Sequence, residues 1–273
     1  MSLRIQNNTE AFNAHRNLVS TSEKMSHAME RLSSGYRINR AADDSAGLAI
    51  SEKLRAQIGG LAQAQRNAQD AVSMVQTAEG SLAEVHAMLQ RVRDLAVQYN
   101  NGTLSTSDKV SINLEVTQLS NEIGRIGAQT KFNGISLLSG SNTVTFQIGA
   151  NDNETINVAM ITLFGSGAGV AVDSAVFSFT AGAVTLQSID DAIDAVSKAR
   201  STFGAVQNRL EHSLNNLASY EENLTASESR IRDVDMASEM VEFTKEQILQ
   251  QAGTSMLAQA NTLPQSVLTL LRG

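Results

Sequence analysis

From Leu54 to Ala96 an apolar or small residue recurs every seven positions, at Leu54, Leu61, Ala68, Val75, Leu82, Leu89 and Ala96. A companion set follows at Gln57, Ala64, Ala71, Ala78, Val85 and Val92. A repeat sustained this long is a coiled-coil seam, and small residues in its middle let helices approach closely. Asp43, Asp44 and Ser45 supply N-cap candidates, and Asn100-Asn-Gly-Thr103 supplies a stop. Such a helix is roughly 80 Å long at about 1.5 Å per residue. The spacing therefore predicts an elongated rod.

A second seam runs through Ile189, Val196, Phe203, Leu210, Leu217, Leu224 and Ile231, entered by a capping-box-like Ser188-Ile-Asp-Asp191. A shorter helix is marked by Ile112, Val116, Leu119, Ile123 and Ile126, with Ser107 or Asp108 as its cap. Three such helices can bury their stripes against one another, which none could do alone in water. Between the helical halves, at about 133–185, Val144–Ile148 and Thr155–Val158 flank Gly149-Ala-Asn-Asp-Asn153 and predict a β-hairpin. Gly165, Gly167, Gly169 and Gly182 suggest further turns and short strands. The expected fold is mainly α: long antiparallel helices in coiled-coil packing, a small β-hairpin-rich insertion, and paired N- and C-terminal helices. With a single proline, Pro264, in 273 residues, long helices can run unbroken.

The two ends differ from the middle. Ile5, Phe12, Leu18, Val19, Met25, Met29 and Leu32 give one apolar face that stops at Ser33-Ser34-Gly35. Val234, Val241, Ile248, Leu249, Met256, Leu263 and Leu270 give another, on a nearly straight helix that Pro264 is expected to kink or end early. Gln247–Leu271 holds no charged residue. A helix with one face in water normally carries Lys and Glu there. A polar but uncharged second face suggests that both faces are covered, most simply by other copies of the chain.

Little in the chain points to chemistry. The net charge of −7 without any basic cluster argues against nucleic acid. The absence of cysteine excludes disulfides and thiolate sites. His15, His27, His86 and His212 form no metal-binding pair, and Asp43-Asp44, Asp190-Asp191 and Glu221-Glu222 read as caps and exposed charge. No nucleotide loop, nucleophile elbow or cofactor motif occurs, so no enzyme and no cofactor is expected. The N-terminus has no apolar core of a secretory signal. Thr155–Val172 is the longest uncharged apolar-leaning stretch, but its three glycines and lack of basic anchors argue against a membrane span.

Against that background, Arg31-Leu-Ser-Ser-Gly-Tyr-Arg-Ile-Asn-Arg-Ala-Ala-Asp-Asp-Ser-Ala-Gly-Leu48 and Ala62–Leu95 resemble the bacterial flagellins, the subunits of the flagellar filament. Lys131-Phe-Asn-Gly134 looks like that family's turn into its hairpin, and Ser229-Arg-Ile-Arg-Asp-Val-Asp-Met-Ala237 onward to Leu271 looks like its C-terminal half. The resemblance covers about three quarters of the chain and implies a short form lacking large outer domains. It implies terminal helices, at about 1–34 and 234–273, that are disordered in the free subunit and pair in the filament's inner tube. Residues 35–233 would then form an outer helical rod with the insertion at about 133–185.

Further implications follow from the resemblance alone. The protein would be extracellular, exported through the flagellum's own channel, with an export chaperone, a filament cap and hook-associated proteins as partners. The match at Leu89-Gln-Arg-Val-Arg-Asp-Leu95 extends to the patch that a host Toll-like receptor recognises in related flagellins, which makes Arg91, Leu95 and Glu115 candidate contacts. The expected function is polymerisation into a filament for motility, through apolar faces buried only between subunits. The rivals are a hook–filament junction protein, whose assembly stops at a few copies, and a non-polymerising secreted helical receptor-binding protein. The latter should carry a basic amphipathic face, which this chain lacks.

Overall fold

The structure is a computed structural model that describes residues 8–139, 142–160 and 185–272, with side chains described as far as Thr262. In chain order the elements are α1 (Thr9–Ser34), α2 (Ser45–Tyr99), α3 (Thr106–Gln129), β1 (Lys131–Phe132), β2 (Ile135–Ser136), β3 (Thr143–Gln147), β4 (Thr155–Ala159), α4 (Leu186–Arg232) and α5 (Met236–Arg272). The fold is mainly α, as the periodicity predicts. Two compact units are distinguished: Met1–Ala56 with Asn223–Gly273, and Gln57–Glu222.

In the unit formed by Gln57–Glu222, the heptad positions of α2 from Leu61 to Ala96 and their companions from Ala64 to Val92 are all buried. From Ala71 onward they share a core with Ile112, Val116 and Ile123 of α3 and with Ile189, Val196, Phe203 and Leu210 of α4. Each fully buried Leu or Phe contributes about 1.5–3 kcal/mol relative to exposure, so the seam is where this unit's stability is concentrated. The ion pairs on its surface, Arg93–Asp190 at 2.6 Å and Arg200–Glu79 at 3.7 Å, add little by comparison.

The helix starts correct the sequence reading by two or three residues. The cap of α3 is Ser105 rather than Ser107 or Asp108: its hydroxyl accepts from the Asp108 N–H while the Asp108 carboxylate accepts from the Ser105 N–H. Likewise α4 begins at Leu186, where the Thr185 hydroxyl accepts from the Ser188 N–H at 3.2 Å. Ser188 therefore lies inside the first turn. In both cases the true cap precedes a second hydroxyl or carboxylate in the first turn: Asp108 completes the box at α3, while the Ser188 hydroxyl donates to the Thr185 carbonyl at 2.7 Å.

The β elements are two separate hairpins. Lys131–Phe132 pairs with Ile135–Ser136 across Asn133 and Gly134, at φ 47° and 81°. This is the left-handed pair that a two-residue hairpin turn requires and that Asn-Gly supplies at least cost. The larger hairpin pairs β3 with β4 from Thr143↔Ala159 to Gln147↔Thr155, as the alternation predicts. Ile156 and Val158 point into the core. The Asn67 amide donates to the Gln147 carbonyl at 3.0 Å, and a Cβ on Gly60 would lie 3.0 Å from that of Ala150. Gly60 thus lets α2 and the hairpin loop come close. The turns expected around Gly165, Gly167, Gly169 and Gly182 lie outside the described residues. Among the described residues no helix is long and apolar enough to cross a membrane.

Candidate assembly surface on the terminal helices

In the other unit, α1 begins at Asn8, whose side-chain oxygen accepts from the Ala11 N–H at 3.1 Å. It stops where Gly35 takes φ 77°, a left-handed cap with its N–H on the Arg31 carbonyl. Beyond it, two chain segments cross. Tyr36 bridges Asp233 antiparallel, the Arg37 N–H donates to the Arg232 carbonyl at 2.7 Å, and the Val234 N–H donates to the Gly35 carbonyl at 3.0 Å. The Arg232 guanidinium stacks 4.7 Å over the Tyr36 ring and pairs with Glu52 at 2.8 Å. That pairing holds the Glu52 carboxyl below its usual range. Nearby, Asp43 accepts from the Arg40 and Asn39 N–H groups at 2.9 and 3.0 Å, and its pKa is lowered chiefly by the Arg40 bond. The Asp44 carboxylate caps α2 through the Gly47 N–H at 2.8 Å.

α1 and α5 run antiparallel, as Arg31–Glu239 (3.7 Å) at one end and Asn8–Ala260 (2.8 Å) at the other fix. The α5 side of the seam is Phe243, Glu246, Gln250, Gly253, Leu257 and Ala260, all buried or half-buried at alternating steps of three and four. From α1 come Ala14, Leu18, Thr21, Met25, Ala28 and Leu32 in the same rhythm. Glu246 is only 3% exposed, and its Oε2 has no hydrogen-bond partner among the described residues. Pro264 does not end α5, which continues to Arg272. A proline lacks the N–H that would bond the carbonyl four residues back. That carbonyl belongs to Ala260, and the Asn8 amide donates to it instead.

The apolar positions singled out in the sequence separate into two groups. Leu18, Met25 and Leu32 are half-buried on the α1–α5 seam, and Val234 is half-buried just before α5. Phe12 (71% exposed), Val241 (69%) and Ile248 (60%) face away from it, as does Val19, whereas Met256 (65%) and Leu249 are exposed on its flank, beside Leu18. On α5 the outward set is therefore displaced around the helix from the set that meets α1, by roughly a quarter to a half turn. Ile5 lies outside the described residues, as do the side chains of Leu263 and Leu270. The α5 side of the seam was missed in the sequence, because its heptad contains Glu239, Glu246, Gln250 and Gly253 and does not read as apolar.

The candidate receptor contacts lie in the Gln57–Glu222 unit. Arg91 and Glu115 are exposed and joined at 2.7 Å, whereas Leu95 is 2% exposed and belongs to the helical core. Among the described residues no group of His, Asp and Glu side chains could hold a metal ion.

Comparison with known proteins agrees with this geometry. The bacterial flagellin N-terminal helical region matches residues 5–143, and the bacterial flagellin C-terminal helical region matches residues 186–271. The chain is 52% identical to a flagellin of Halalkalibacterium halodurans, over 98% of this chain and 99% of that one. It is 47% identical to a flagellin of Bacillus subtilis, over 99% of this chain and all of the other. The structure of a putative flagellar hook-associated protein from Vibrio parahaemolyticus shares the fold, with a TM-score of 0.60 at 18% identity over 70% of this chain and all of that one. Matched at both helical ends and over nearly its whole length, the chain belongs to the bacterial flagellins, the structural subunits of the flagellar filament.

Proposed function

We infer that the segments 1–34 and 234–273 form the inner layer of a filament and that their outward apolar faces are its subunit interfaces. The observation that carries this reading is the exposure of Phe12, Val241, Ile248 and Met256 on a helix pair whose own seam is already closed. Four large apolar side chains left in water forgo about 1.5–3 kcal/mol each, which burial against other copies returns. Residues 35–233 then form the outer helical layer with its β insertion. The role is structural, with no catalytic step, and the subunit acts outside the cell after export through the flagellar channel.

Partners such as an export chaperone, a filament cap and hook-associated proteins accompany this reading. A host Toll-like receptor would meet the exposed Arg91–Glu115 pair, with Leu95 supporting it from within the core. The hook–filament junction reading is not favoured, since the full-length relatives are flagellins while the hook-associated likeness is one of fold. Seeded assembly of the full-length chain, viewed by electron microscopy, tests the proposal. Long tubes support it. Short assemblies that stop growing would favour the junction protein, and persistent monomers would overturn polymerisation.

A further inference from the structure

A groove of about 490 Å³ lies between α1 and α5. Its apolar wall is Leu18 from α1 and Leu249 and Met256 from α5, and its floor is kept low by Ala14, Ala252 and Gly253. A Cβ on Gly253 would lie 3.3 Å from Leu18 Cδ1, so the depth depends on that glycine. Among the described residues lining it, Glu10 alone is charged, and Glu10 makes no ion pair among the described residues.

Phe12 and Val19 sit one heptad apart on α1, both exposed, roughly half a turn around the helix from Ala14, Asn17 and Thr21. Phe12 therefore cannot fold back into its own groove. Arg16 flanks the same stripe, its guanidinium held within α1 by the Asn13 side-chain oxygen at 2.9 Å. The knob thus brings an aromatic ring and a cation, and the groove offers an apolar cleft of sufficient volume with an anion on its rim.

We propose that the α1–α5 groove of one copy receives the Phe12–Val19 stripe of a second copy, with the incoming Arg16 pairing with Glu10. This rests on the reading of the chain as a filament subunit and names one of its contacts. Knob and hole lie on opposite faces of α1, so the contact is head-to-tail. A head-to-tail contact of this kind propagates into an open polymer wherever the rotation between copies does not close a ring. The absence of charge from Gln247 to Leu271 removes the cost of desolvating an ion when the α5 wall is buried.

The chain has no cysteine, so paired cysteines report contacts without background. Chains carrying Phe12→Cys and chains carrying Met256→Cys are copolymerised as minority components in filaments of the unmodified protein, then oxidised. The expected result is a cross-linked dimer well above that from Thr103→Cys paired with Met256→Cys. If both variants enter the filament and the dimer stays at the control level, the contact is wrong while the filament reading stands. Should either variant be excluded, Glu10→Cys with Arg16→Cys serves under the same criterion, leaving Phe12 and Met256 intact. Charge exchange gives an independent arm. Glu10→Arg should slow elongation by roughly two- to fivefold, the range expected for losing one exposed ion pair. Adding Arg16→Glu to the same chain should restore the rate, and a double variant no faster than the single one would overturn the pairing.

Discussion

The side-chain amide of Asn8 donates to the main-chain carbonyl of Ala260 at 2.8 Å, which is the carbonyl that Pro264 deprives of its helical partner. With its oxygen Asn8 also caps α1. One residue thus starts the first helix and repairs the last. A buried carbonyl without a donor costs about 1–3 kcal/mol, so this contact helps explain how α5 runs through a proline to Arg272.

Asn8→Ser keeps a good capping oxygen and loses the reach of the amide. It should destabilise the α1–α5 pair by about 1–3 kcal/mol, read as faster hydrogen exchange in both helices. With Pro264→Ala the helix regains its own N–H, and the effect of Asn8→Ser should largely vanish. An equal effect in both backgrounds would show that Asn8 acts only as a cap.

Glu246 is buried on the α1–α5 seam, and its Oε2 has no partner among the described residues. Glu246→Leu should therefore strengthen the pair by about 1–3 kcal/mol, the cost of a buried polar group left unsatisfied. Hydrogen exchange of 9–34 and 236–262 is the measure, and slower exchange is the expected direction. Faster exchange would mean that the carboxylate has a partner in solution.

Phe203 is 1% exposed among the α2, α3 and α4 seams. Phe203→Ala should cost about 3–5 kcal/mol in the Gln57–Glu222 unit. Tyr220→Ala, at a position 45% exposed, should stay within about 1 kcal/mol. Comparable losses at the two sites would mean that the heptad seam does not carry the stability of this unit.

The crossing of 35–44 with 231–234 should be acid-sensitive. Asp43 and Glu52 both have lowered pKa values, from the Arg40 N–H and the Arg232 guanidinium respectively. A carboxyl lowered on folding stabilises the fold above its unfolded pKa, and that contribution is lost as pH falls through the folded value. The Asp43 turn and the Glu52–Arg232 pair should thus weaken below about pH 4 and be insensitive near neutrality. Titration of both carboxyls by NMR at ordinary values would contradict this.

Much of the fold was legible because it is carried by local repetition. The seven-residue spacing on α2 and α4, the Gly35 stop and the alternation around Val144 and Ile156 each announce their element. The caps at Ser105 and Thr185 were read late because a second hydroxyl or carboxylate follows each within the first turn. The Asn133-Gly134 turn was announced only by the family resemblance of Lys131–Gly134, because strands of two residues are too short for any alternation to show. Least legible was the α1–α5 seam, where apolar scoring picks out Val241, Ile248 and Met256 and passes over Glu246 and Gly253. The continuation of α5 through Pro264 depends on Asn8, which is 252 residues from the carbonyl it serves, and no local pattern reports it.

The central claim is that the outward faces of the terminal helices are subunit interfaces rather than parts of the fold. Val241 and Ile248 stand on α5 away from α1. The most direct test is the chain carrying Val241→Asp and Ile248→Asp, compared with the unmodified chain by circular dichroism of the monomer and electron microscopy after seeding. The account predicts unchanged helix content and thermal unfolding with loss of filaments, because two charges are brought where only neighbouring copies would bury them. Normal filaments from this variant would contradict it.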